Sequence, residues 1–368
     1  MRVLHTFKLY RPAEGGVISV MQDLIEAAPE GVESRVLACR RTEPAREVIG
    51  RADVHRCLAP FEMMSLPLAP TYPFRHFAMA RGCDLVASHS PFPLGELAGA
   101  VADRWMPPYV VHWHSEVIAQ RRTAALLGPL TRRYLERAAA VLVSTPGHID
   151  VSPWLGEFRE KCHVVPFGIN PANASEPRRP RNLPEQWPDA FGLFVGRLVP
   201  YKGLSVLLEA AARTDLPLVI AGSGPLAGEL RAEITRRGLD ARVLLLGGVD
   251  ENEKNWLLQQ ARFLVLPSTG ANETFGIVQL EAMAAGLPIV NTDAHPGIGW
   301  VARDGREAIT VTSGDAAGLA IAMRALIQDE GRAKAMGQAG RDRLLRNFTF
   351  EKFVGNVFDI YRDVLKNS

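Results

Sequence analysis

The chain has 368 residues, of which 47% are hydrophobic and 22% charged, and its formal net charge is +2. These values are typical of a globular protein long enough for two domains, and the small charge gives no reason to expect a nucleic acid partner. The four cysteines form no CxxC pair, so we expect buried thiols rather than a disulfide framework. No stretch is long and apolar enough to span a bilayer, and the N-terminal MRVLHTF has no signal-peptide pattern, which predicts a cytoplasmic protein.

Short apolar runs alternate with helical patterns along the whole chain. In the first half the runs typical of strands are Val3–Phe7, Arg35–Cys39, Leu85–His89, Tyr109–His114, Ala140–Ser144 and Val164–Phe167. In the second half they are Phe191–Val195, Leu216–Ala221, Val243–Gly247, Phe263–Leu266 and Pro288–Asn291. Because the runs are continuous and rich in Val, Leu and Ile, they predict parallel strands covered by helices on both faces. The order of strands and helices therefore predicts an α/β fold with doubly wound sheets.

The alternation breaks once, at residues 170–187, which read NPANASEPRRPRNLPEQW and have the composition of a linker. We predict an N-terminal domain over residues 1–170, a linker over 171–187 and a C-terminal domain over 188–349. Ligands bind outside the carboxyl ends of the strands in such sheets. We therefore expect two Rossmann-like domains that face each other across a cleft.

Two segments of the N-terminal domain end strands with residues that suit a ligand. Gly15 and Gly16, just before a predicted helix, would let backbone N–H groups approach a phosphate, although a plain turn fits almost as well. His112 and His114 share one face of a strand that ends at WHS. No Asp, Glu or Cys stands at ligand spacing, so we expect no metal there. A histidine at the carboxyl end of a strand is instead expected to point at the cleft. For His112, the main competing interpretation is a buried core histidine with a satisfied hydrogen bond.

Two further segments of this domain have two interpretations each. Residues 119–137, AQRRTAALLGPLTRRYLER, could lie on an anionic membrane surface, or form a helix packed on its own domain with solvated arginines. The apolar segment Phe61–Phe77 could line an acceptor groove or form a loop beneath the core.

The C-terminal domain begins with FVGRLVPYKG, in which Arg197 and Lys202 flank a strand-to-helix loop. Two cations beside the positive end of a helix repel it, and a bound diphosphate would remove that repulsion. The alternative is that both side chains simply reach solvent. The glycine-rich turn AGSGP after the next strand is weak evidence for phosphate binding.

Glu273 and Glu281 bracket a helix start in ETFGIVQLE, with E-x7-E spacing. A carboxylate beside open backbone N–H groups suits a ligand that carries both hydroxyls and phosphate, as a nucleotide sugar does. The alternative is that Glu273 complements the helix dipole and Glu281 lies on a solvated face.

Together the segments GGV, WHSE, VVPFGIN, FVGRLVPYKG, IAGSGP and ETFGIVQLE resemble the retaining glycosyltransferases of family 4, which have the GT-B fold. The resemblance runs through both halves, and its most specific parts are the E-x7-E element and GRLVPYKG. It implies a last helix over residues 350–368 that crosses back to the N-terminal domain.

The resemblance also implies a role for each candidate residue. Glu273 would contact the hydroxyls of the donor sugar and Glu281 those of the ribose. Arg197 and Lys202 would hold the diphosphate and stabilise it as it leaves. His114 would lie beside the transferred sugar. The remaining donor-binding positions are Gly15, Gly16, Phe275, Gly276, Ile277 and Val278. No metal and no cofactor beyond the nucleotide-sugar co-substrate is expected.

The segments PGIGWVARDGREAITV and WHSEVIAQ resemble bacterial polysaccharide enzymes that use GDP-mannose or a related GDP-deoxyhexose. UDP-glucose or UDP-N-acetylglucosamine is the main rival as donor. We expect a lipid-linked oligosaccharide acceptor and a peripheral contact of residues 119–137 with the inner membrane face. Ile18 and Ser19 stand where many relatives have an acidic residue, so the acceptor does not follow by analogy. A nucleotide-sugar binding protein without catalysis is the alternative of a different class, against which Lys202, Glu273 and His114 are all present.

Overall fold

The computed structural model describes residues 1–368 except 14, 43–44, 64–65, 102–105, 116–120, 171–175 and 189, and for residues 63 and 121–127 it describes only the backbone. The chain forms two compact units. Unit 1 contains Met1–Pro166 and Phe353–Ser368, and unit 2 contains Phe167–Lys352.

Unit 1 is built on a sheet of eight strands with a separate small hairpin. Its strands are β1 (Arg2–Thr6), β2 (Glu33–Arg40), β3 (Ala45–Ile49), β4 (Ala52–Leu58), β5 (Phe61–Met63), β6 (Leu66–Leu68), β7 (Leu85–Ser90), β8 (Tyr109–Trp113), β9 (Ala140–Val143) and β10 (Cys162–Val164). The spatial order in the sheet is β10-β9-β8-β7-β1-β2-β4-β3, and β5 pairs with β6. All pairs in the large sheet are parallel except β3 with β4.

The helices of unit 1 cover the sheet with their apolar sides. They are α1 (Gly16–Glu26), α2 (Tyr72–Ala80), α3 (Pro93–Val101), α4 (Arg121–Arg137), α5 (Pro146–Val151) and a 3-10 helix (Leu155–Lys161). The last helix of the chain, α13 (Phe350–Lys366), belongs to unit 1 from Phe353 onward. Its buried residues Phe353, Val357, Phe358 and Tyr361 recur at helical spacing, so one side of the helix packs inward.

Unit 2 has the strand order of a dinucleotide-binding domain. Its strands are β11 (Gly192–Val195), β12 (Leu218–Ala221), β13 (Val243–Gly247), β14 (Phe263–Leu266), β15 (Ile289–Thr292) and β16 (Ala308–Val311). Its helices are α6 (Leu204–Ala212), α7 (Ala227–Arg236), α8 (Glu251–Gln260), α9 (Val278–Ala284), α10 (Pro296–Val301), α11 (Ala316–Gln328) and α12 (Glu330–Asn347). The strands are all parallel in the order β13-β12-β11-β14-β15-β16, which is the Rossmann order.

Both faces of the unit 2 sheet are buried, as the continuous apolar runs predict. Leu193 and Phe194 are neighbours on β11, yet Phe194 packs in one core cluster and Leu193 in the other. Leu264 and Val265 on β14 divide between the same two clusters. Because side chains alternate along a strand, each run supplies both cores, and the predicted α/β architecture is confirmed.

The apolar runs located the central strands but missed five others. The sequence predicted a strand at Val164–Phe167, whereas β10 ends at Val164. The five strands without a prediction are β3, β4, β5, β6 and β16. In β4, Asp53 and His55 interrupt the apolar run at half-buried positions that alternate with buried Ala52 and Val54. Arg56 is polar but buried, and its guanidinium pairs with Glu47 on β3.

Part of the segment with linker composition is packed against unit 2. The backbone N–H of Arg178 donates to the Asn252 carbonyl over 3.1 Å, and its guanidinium pairs with Asp250. Arg179 donates to the carbonyls of Leu183 and Pro184 at 2.7 and 2.6 Å. Leu183 is buried in a core cluster of unit 2, and Trp187 packs against the same cluster. Residues 176–187 are therefore held to unit 2 by both polar and apolar contacts.

Helix α4 contains the described part of the basic segment 119–137. Arg132 pairs with Glu157, and Arg133 Nε donates to the Ala100 carbonyl over 3.0 Å, while Leu135 is buried. The side chains of Arg121, Arg122, Leu126 and Leu127 lie outside the described part of the structure. In the part of the chain that is described, no helix is both long and apolar enough to cross a membrane.

The apolar segment Phe61–Phe77 contains β5, β6 and most of α2 where a loop was one interpretation, and the acceptor groove stays a prediction. Tyr72 is fully buried and contacts the Phe92 ring edge-on at 4.9 Å between centroids. Phe61 and Phe74 are instead 72% and 78% exposed. The hairpin exposes Phe61, and α2 exposes Phe74 while it buries Tyr72 in the core.

The strand order reverses beside the first strand of each sheet. In unit 1 the reversal lies between β1 and β7, and in unit 2 between β11 and β14. Ligands of such sheets bind outside the carboxyl ends of the strands at this position. The residues that follow β1, β7, β11 and β14 are therefore the first to inspect for a functional site.

Candidate active site

A buried ion pair lies at the strand reversal of unit 2. Lys202 follows β11 and Glu273 follows β14, and they are only 9% and 8% exposed. The Lys202 ammonium donates to the Glu273 carboxylate, and Ser268 Oγ donates to the same carboxylate over 3.1 Å. The structure thus brings together two of the residues that the sequence singled out, although they are 71 positions apart.

Close backbone packing between two loops brings this pair together. The Tyr201 carbonyl accepts from the N–H groups of Thr269 and Gly270, at 2.8 and 3.3 Å. Gly203 has a left-handed conformation with φ of 68°, and a Cβ atom there would lie 1.9 Å from the Pro267 carbonyl oxygen. Only glycine allows this approach, so position 203 helps to determine where Lys202 lies.

Arg197 is the third charged residue of this region. It is exposed, and its guanidinium makes no ion pair or hydrogen bond with any residue that the structure describes. A Cβ atom on the neighbouring Gly196 would lie 3.8 Å from Lys202 Nζ, so the two basic residues flank one short backbone segment. The positive charge of Arg197 is therefore uncompensated within the described chain.

The glycines of AGSGP have a packing role. A Cβ atom on Gly222 would lie 1.9 Å from the Gly196 carbonyl oxygen, and one on Gly224 would lie 2.5 Å from that of Leu198. Leu198 N–H also donates to the Ser223 carbonyl over 2.9 Å. This turn supports the loop that bears Arg197, which explains the glycines without any contact to phosphate.

The segment Phe275–Val278 leads into α9. Gly276 has φ of 71°, and a Cβ atom there would lie 2.8 Å from a Leu266 methyl group. Among the described residues, no protein acceptor receives a hydrogen bond from the N–H groups of Phe275, Gly276, Ile277 or Val278. These groups can therefore donate to an anion, whereas the Phe275 side chain packs in the core against the Phe167 ring at 5.1 Å.

Gln279 fixes this segment from behind and was missed in the sequence. It is fully buried, and its amide nitrogen donates to the carbonyls of Phe275 and Ile298, at 2.8 and 3.3 Å. Its amide oxygen accepts from Asn291 over 3.0 Å. The one signal that could have revealed it is an amide residue inside the apolar helix pattern, because such a residue needs buried hydrogen-bond partners.

Glu281 is half-buried and paired, so the alternative of a merely solvated face is wrong. Its carboxylate accepts from Lys254 on α8 over 2.8 Å, and Lys254 also contacts Glu251 at 2.8 Å. Burial acts to lower the pKa of Lys254, but the Glu281 and Glu251 carboxylates outweigh it and raise that pKa. Lys254 lies on a different helix, and no local pattern in the sequence pointed to it.

His295, near the ion pair, is a further residue that the sequence did not indicate. It precedes α10, and its Nδ1 accepts from the Gly297 backbone N–H over 2.9 Å. Burial lowers the pKa of His295, and the nearby Glu273 carboxylate opposes part of that effect. The uncharged ring with an occupied Nδ1 carries its proton on Nε2, so His295 supplies a neutral N–H group beside Glu273.

In unit 1 the glycine pair lies where it was expected, at the start of a helix after β1. Gly15 precedes α1 with φ of 152°, and a Cβ atom on Gly15 or Gly16 would meet nothing within 4 Å. The preceding loop is held by buried Arg56, which donates to the carbonyls of Tyr10 and Arg11. The space above the glycines is open, and their contact with a phosphate stays a prediction.

Four buried histidines gather at the strand reversal of unit 1. His5 Nδ1 lies 3.4 Å from His89 Nε2, and His89 Nδ1 lies 2.9 Å from His114 Nε2. His112 Nε2 lies 2.6 Å from the Tyr361 hydroxyl. For His112 the interpretation as a buried, hydrogen-bonded histidine is therefore confirmed. Burial lowers the pKa of both His5 and His114 to about 3, which keeps these rings neutral at physiological pH.

The fold brings His89 close to His112 and His114, a third possible ligand that sequence spacing did not reveal. One nitrogen from each of the three lies within 4.8 Å of the others. Their rings are close to parallel, with interplanar angles of 5°, 22° and 23°. Lone pairs in nearly parallel planes do not converge on one point, whereas metal binding requires convergence. The observed geometry suits hydrogen bonding between rings better than a metal ion.

Comparison with known proteins now defines the family. Residues 15–168 match the model of the glycosyl transferase 4-like domain, and residues 177–343 match that of glycosyl transferases group 1. The chain is 30% identical over 373 residues to the O-antigen chain mannosyltransferase C of Escherichia coli, with both chains covered completely. The chain belongs to the group 1 glycosyltransferases. This glycosyltransferase is also 32% identical over 358 residues to the D-rhamnosyltransferase WbpZ of Pseudomonas aeruginosa, covering 95% of this chain and 92% of that one.

Solved structures agree with the fold of this glycosyltransferase. A sucrose-phosphate synthase from Thermosynechococcus elongatus superimposes with a TM-score of 0.80 at 21% identity, with both chains covered completely. HepE of Anabaena in complex with UDP-glucose superimposes with a TM-score of 0.80 at 19% identity, covering 99% of this chain and 100% of that one. The predicted GT-B fold, with its two Rossmann-like domains, is confirmed.

Replacement of Gly203 by alanine tests the backbone packing that places Lys202. The new Cβ atom would overlap the Pro267 carbonyl oxygen, so we expect Gly203→Ala to lower the free energy of unfolding by about 2 kcal/mol or more. Chemical denaturation measures this loss. Gly228→Ala on α7 is the matched control, because its Cβ would meet nothing within 4 Å and alanine is the better helix former. Equal stability of the two variants would contradict the role given to Gly203.

Proposed function

We propose that this glycosyltransferase transfers a hexose from a nucleotide sugar whose diphosphate binds unit 2 outside β11 and β14. The observation that carries the proposal is the buried Lys202–Glu273 pair at the strand reversal, next to the uncompensated charge of Arg197. The buried pair is neutral as a whole, so with Arg197, the second cation, beside it the group has a net positive charge. A diphosphate would balance that charge, and its oxygens match the forked donors of Arg197.

The ion pair gives Lys202 and Glu273 complementary roles. An ammonium group has three N–H donors, and the Glu273 carboxylate does not use them all. The others can donate to phosphate oxygens while the pair stays intact. Glu273, as an ionised acceptor fixed by Lys202 and Ser268, suits the hydroxyls of the sugar.

The remaining donor-binding residues complete the proposed site. The open N–H groups of Phe275, Gly276, Ile277 and Val278 would donate to the sugar and the phosphate. Glu281, held by Lys254, would accept from the ribose hydroxyls. From unit 1, Gly15 and Gly16 would approach the diphosphate, and His114 would contact the transferred sugar.

For the sugar we propose mannose or a related hexose from a GDP donor. The two relatives are named for mannose and D-rhamnose, which is its 6-deoxy form, so both sugars have the manno configuration. UDP-glucose and UDP-N-acetylglucosamine are the alternative donors. The O-antigen function of the first relative supports a lipid-linked saccharide acceptor in cell-surface polysaccharide synthesis. A peripheral contact of residues 119–137 with anionic lipid belongs to the same proposal.

The proposed reaction retains the configuration of the sugar. The acceptor hydroxyl attacks the anomeric carbon on the face from which the nucleotide diphosphate leaves. The leaving phosphate accepts the proton of that hydroxyl. Glu273 is ion-paired and hydrogen-bonded, which makes it a poor covalent nucleophile. Lys202 and Arg197 would stabilise the departing charge without a metal ion. Full activity in EDTA, and an α-linked product from an α-linked donor by NMR, are the expected results.

A donor screen tests the function as a whole. We expect calorimetry to detect GDP binding about tenfold tighter than UDP binding, and GDP-mannose to release nucleotide when a saccharide acceptor is present. Preference for UDP would instead favour the alternative donors. Binding without any transfer to lipid-linked saccharides would favour a non-catalytic protein, and tight binding of neither nucleotide would contradict the proposal.

Replacement of Lys202 by alanine tests its role in holding the diphosphate. We expect Lys202→Ala to lower turnover at least about a hundredfold, the scale for losing one preorganised charge partner. The control is Lys334→Ala, which removes an exposed lysine of α12 paired with Glu330 at 3.0 Å. Because Lys202→Ala leaves Glu273 buried and unpaired, turnover is measured where circular dichroism finds both variants folded. Near-normal turnover would contradict the assignment.

Glu273 and Glu281 form a reciprocal test of the division between sugar and ribose. We expect Glu273→Ala to abolish transfer while GDP affinity stays within about threefold, because in the proposed site this carboxylate contacts the sugar of the donor and no part of GDP. Glu281→Ala should weaken GDP binding about tenfold or more, the effect of losing a hydrogen bond to a charged group. Calorimetry with GDP measures both. Equal loss of affinity in the two variants would refute the division of roles.

A further inference from the structure

Lys254 lies on α8 and contacts one carboxylate on its own helix and one on α9. Its ammonium donates to Glu281 Oε1 over 2.8 Å, although the two residues are 27 positions apart. The same ammonium contacts Glu251 Oε1 at 2.9 Å and Glu251 Oε2 at 2.8 Å. These contacts connect the helices that follow β13 and β14, two strands that are not neighbours in the sheet.

The Lys254 ammonium has no N–H group left to donate to a ligand. A protonated lysine has three N–H donors, and the three carboxylate oxygens occupy all of them. Burial acts to lower the pKa of Lys254, but the two carboxylates outweigh it and raise that pKa, so the ammonium stays charged at physiological pH. Its side chain is only 14% exposed. Lys254 therefore acts on a ligand through Glu281 and not by direct contact.

Glu281 has one oxygen held by this lysine and one that is open. No residue that the structure describes donates to Glu281 Oε2, and the side chain is 23% exposed. An ionised carboxylate accepts hydrogen bonds through both oxygens and donates none. The open oxygen therefore suits hydroxyl groups of a ligand, and its direction is fixed as long as Lys254 holds the other oxygen.

Lys254 also controls the charge near the proposed diphosphate site. Glu251 and Glu281 together carry two negative charges, which without a cation between them would repel a bound phosphate. The ammonium offsets one of these charges. Glu251 is 76% exposed, so water and salt screen its charge more than that of Glu281. The lysine thus allows a carboxylate to bind the hydroxyls of a ligand that also contains phosphate.

We propose that Lys254 is a positioning residue that makes the donor site selective for ribonucleotides over nucleotides without ribose hydroxyls. By holding Oε1 of Glu281, it keeps the carboxylate in the orientation in which Oε2 accepts from the ribose. A nucleotide without these hydroxyls would shield Oε2 from water and leave it unpaired, so the site rejects that nucleotide. The assignment of Glu281 to the ribose rests on the function proposed above.

Selectivity for the ribose tests the inference on the full chain. The probes are GDP and 2′,3′-dideoxy-GDP, which lacks both ribose hydroxyls, and calorimetry measures the two affinities. We expect the unmodified protein to bind GDP about tenfold or more tightly than the dideoxy form, the effect of losing a hydrogen bond to a charged group. In Glu281→Ala, which lacks the acceptor, the two affinities should agree within about twofold. If UDP is the preferred nucleotide, UDP and 2′,3′-dideoxy-UDP are the probes.

Two replacements of Lys254 separate positioning from structural support. Lys254→Met removes the charge and the donors but keeps most of the side chain, so we expect the affinity ratio to fall to about twofold or less. Lys254→Arg keeps the charge and the donors and should hold the ratio within about twofold of the original. Lys334→Met, at an exposed lysine of α12, is the control and should change neither affinity. A merely structural role would weaken both nucleotides equally, so an unchanged ratio in Lys254→Met would overturn the inference.

Failure of this inference can be told apart from failure of the proposed function. A protein that binds neither GDP nor UDP would defeat both together. An enzyme that transfers sugar from its nucleotide donor but binds the dideoxy nucleotide equally well would defeat only the inference. So would an active enzyme whose affinity ratio is unchanged in Lys254→Met, because Glu281 would then select the ribose without this partner.

Discussion

Two opposite charges, Lys202 and Glu273, share a buried position where the unit 2 sheet reverses its strand order. Neither could be buried alone, because an unpaired charge out of water costs several kcal/mol. Each therefore requires the other, and the loops that bear them must meet closely. Two backbone features allow this close approach. Gly203 has no side chain to collide with the Pro267 carbonyl, and the Tyr201 carbonyl accepts two hydrogen bonds from the facing loop. The high free energy of burying either charge alone therefore explains why Lys202, Glu273 and their loops lie so close together in unit 2.

Unit 1 also buries polar side chains at its strand reversal, but these side chains are uncharged. They are neutral imidazoles, and their burial is tolerated because their ring nitrogens form hydrogen bonds with one another. The result is a site of fixed dipoles, whereas unit 2 has a site of fixed charges. This difference agrees with the proposed division, in which unit 2 binds the charged diphosphate and His114 of unit 1 contacts the sugar.

The sequence predicted the architecture because the central strands are buried on both faces and therefore continuous in their apolar character. It failed at β4, which lies next to the edge strand β3 and contains three polar residues, and at the edge strand β16, whose apolar residues are interrupted by Thr310. The sequence could indicate four candidate residues because each lies near a strand end or a helix start, which is where ligands bind in such sheets. They are Arg197, Lys202, Glu273 and Glu281. The sequence did not indicate Lys254, Gln279, His89 or His295, because each contacts or lies near a residue that is distant in the chain and is brought close only by the fold.

The amide of Gln279 has a consequence for how this family can vary. Asn291 donates to Gln279 over 3.0 Å and accepts from the Thr310 hydroxyl over 2.7 Å, and both amides are fully buried. Loss of either amide would leave a buried polar atom of the other without this partner, at a cost of about 1–3 kcal/mol. Exchange of both amides for apolar residues would also remove the donors to the Phe275, Ile298 and Ala302 carbonyls. Positions 279 and 291 should therefore be kept together as amides when relatives diverge.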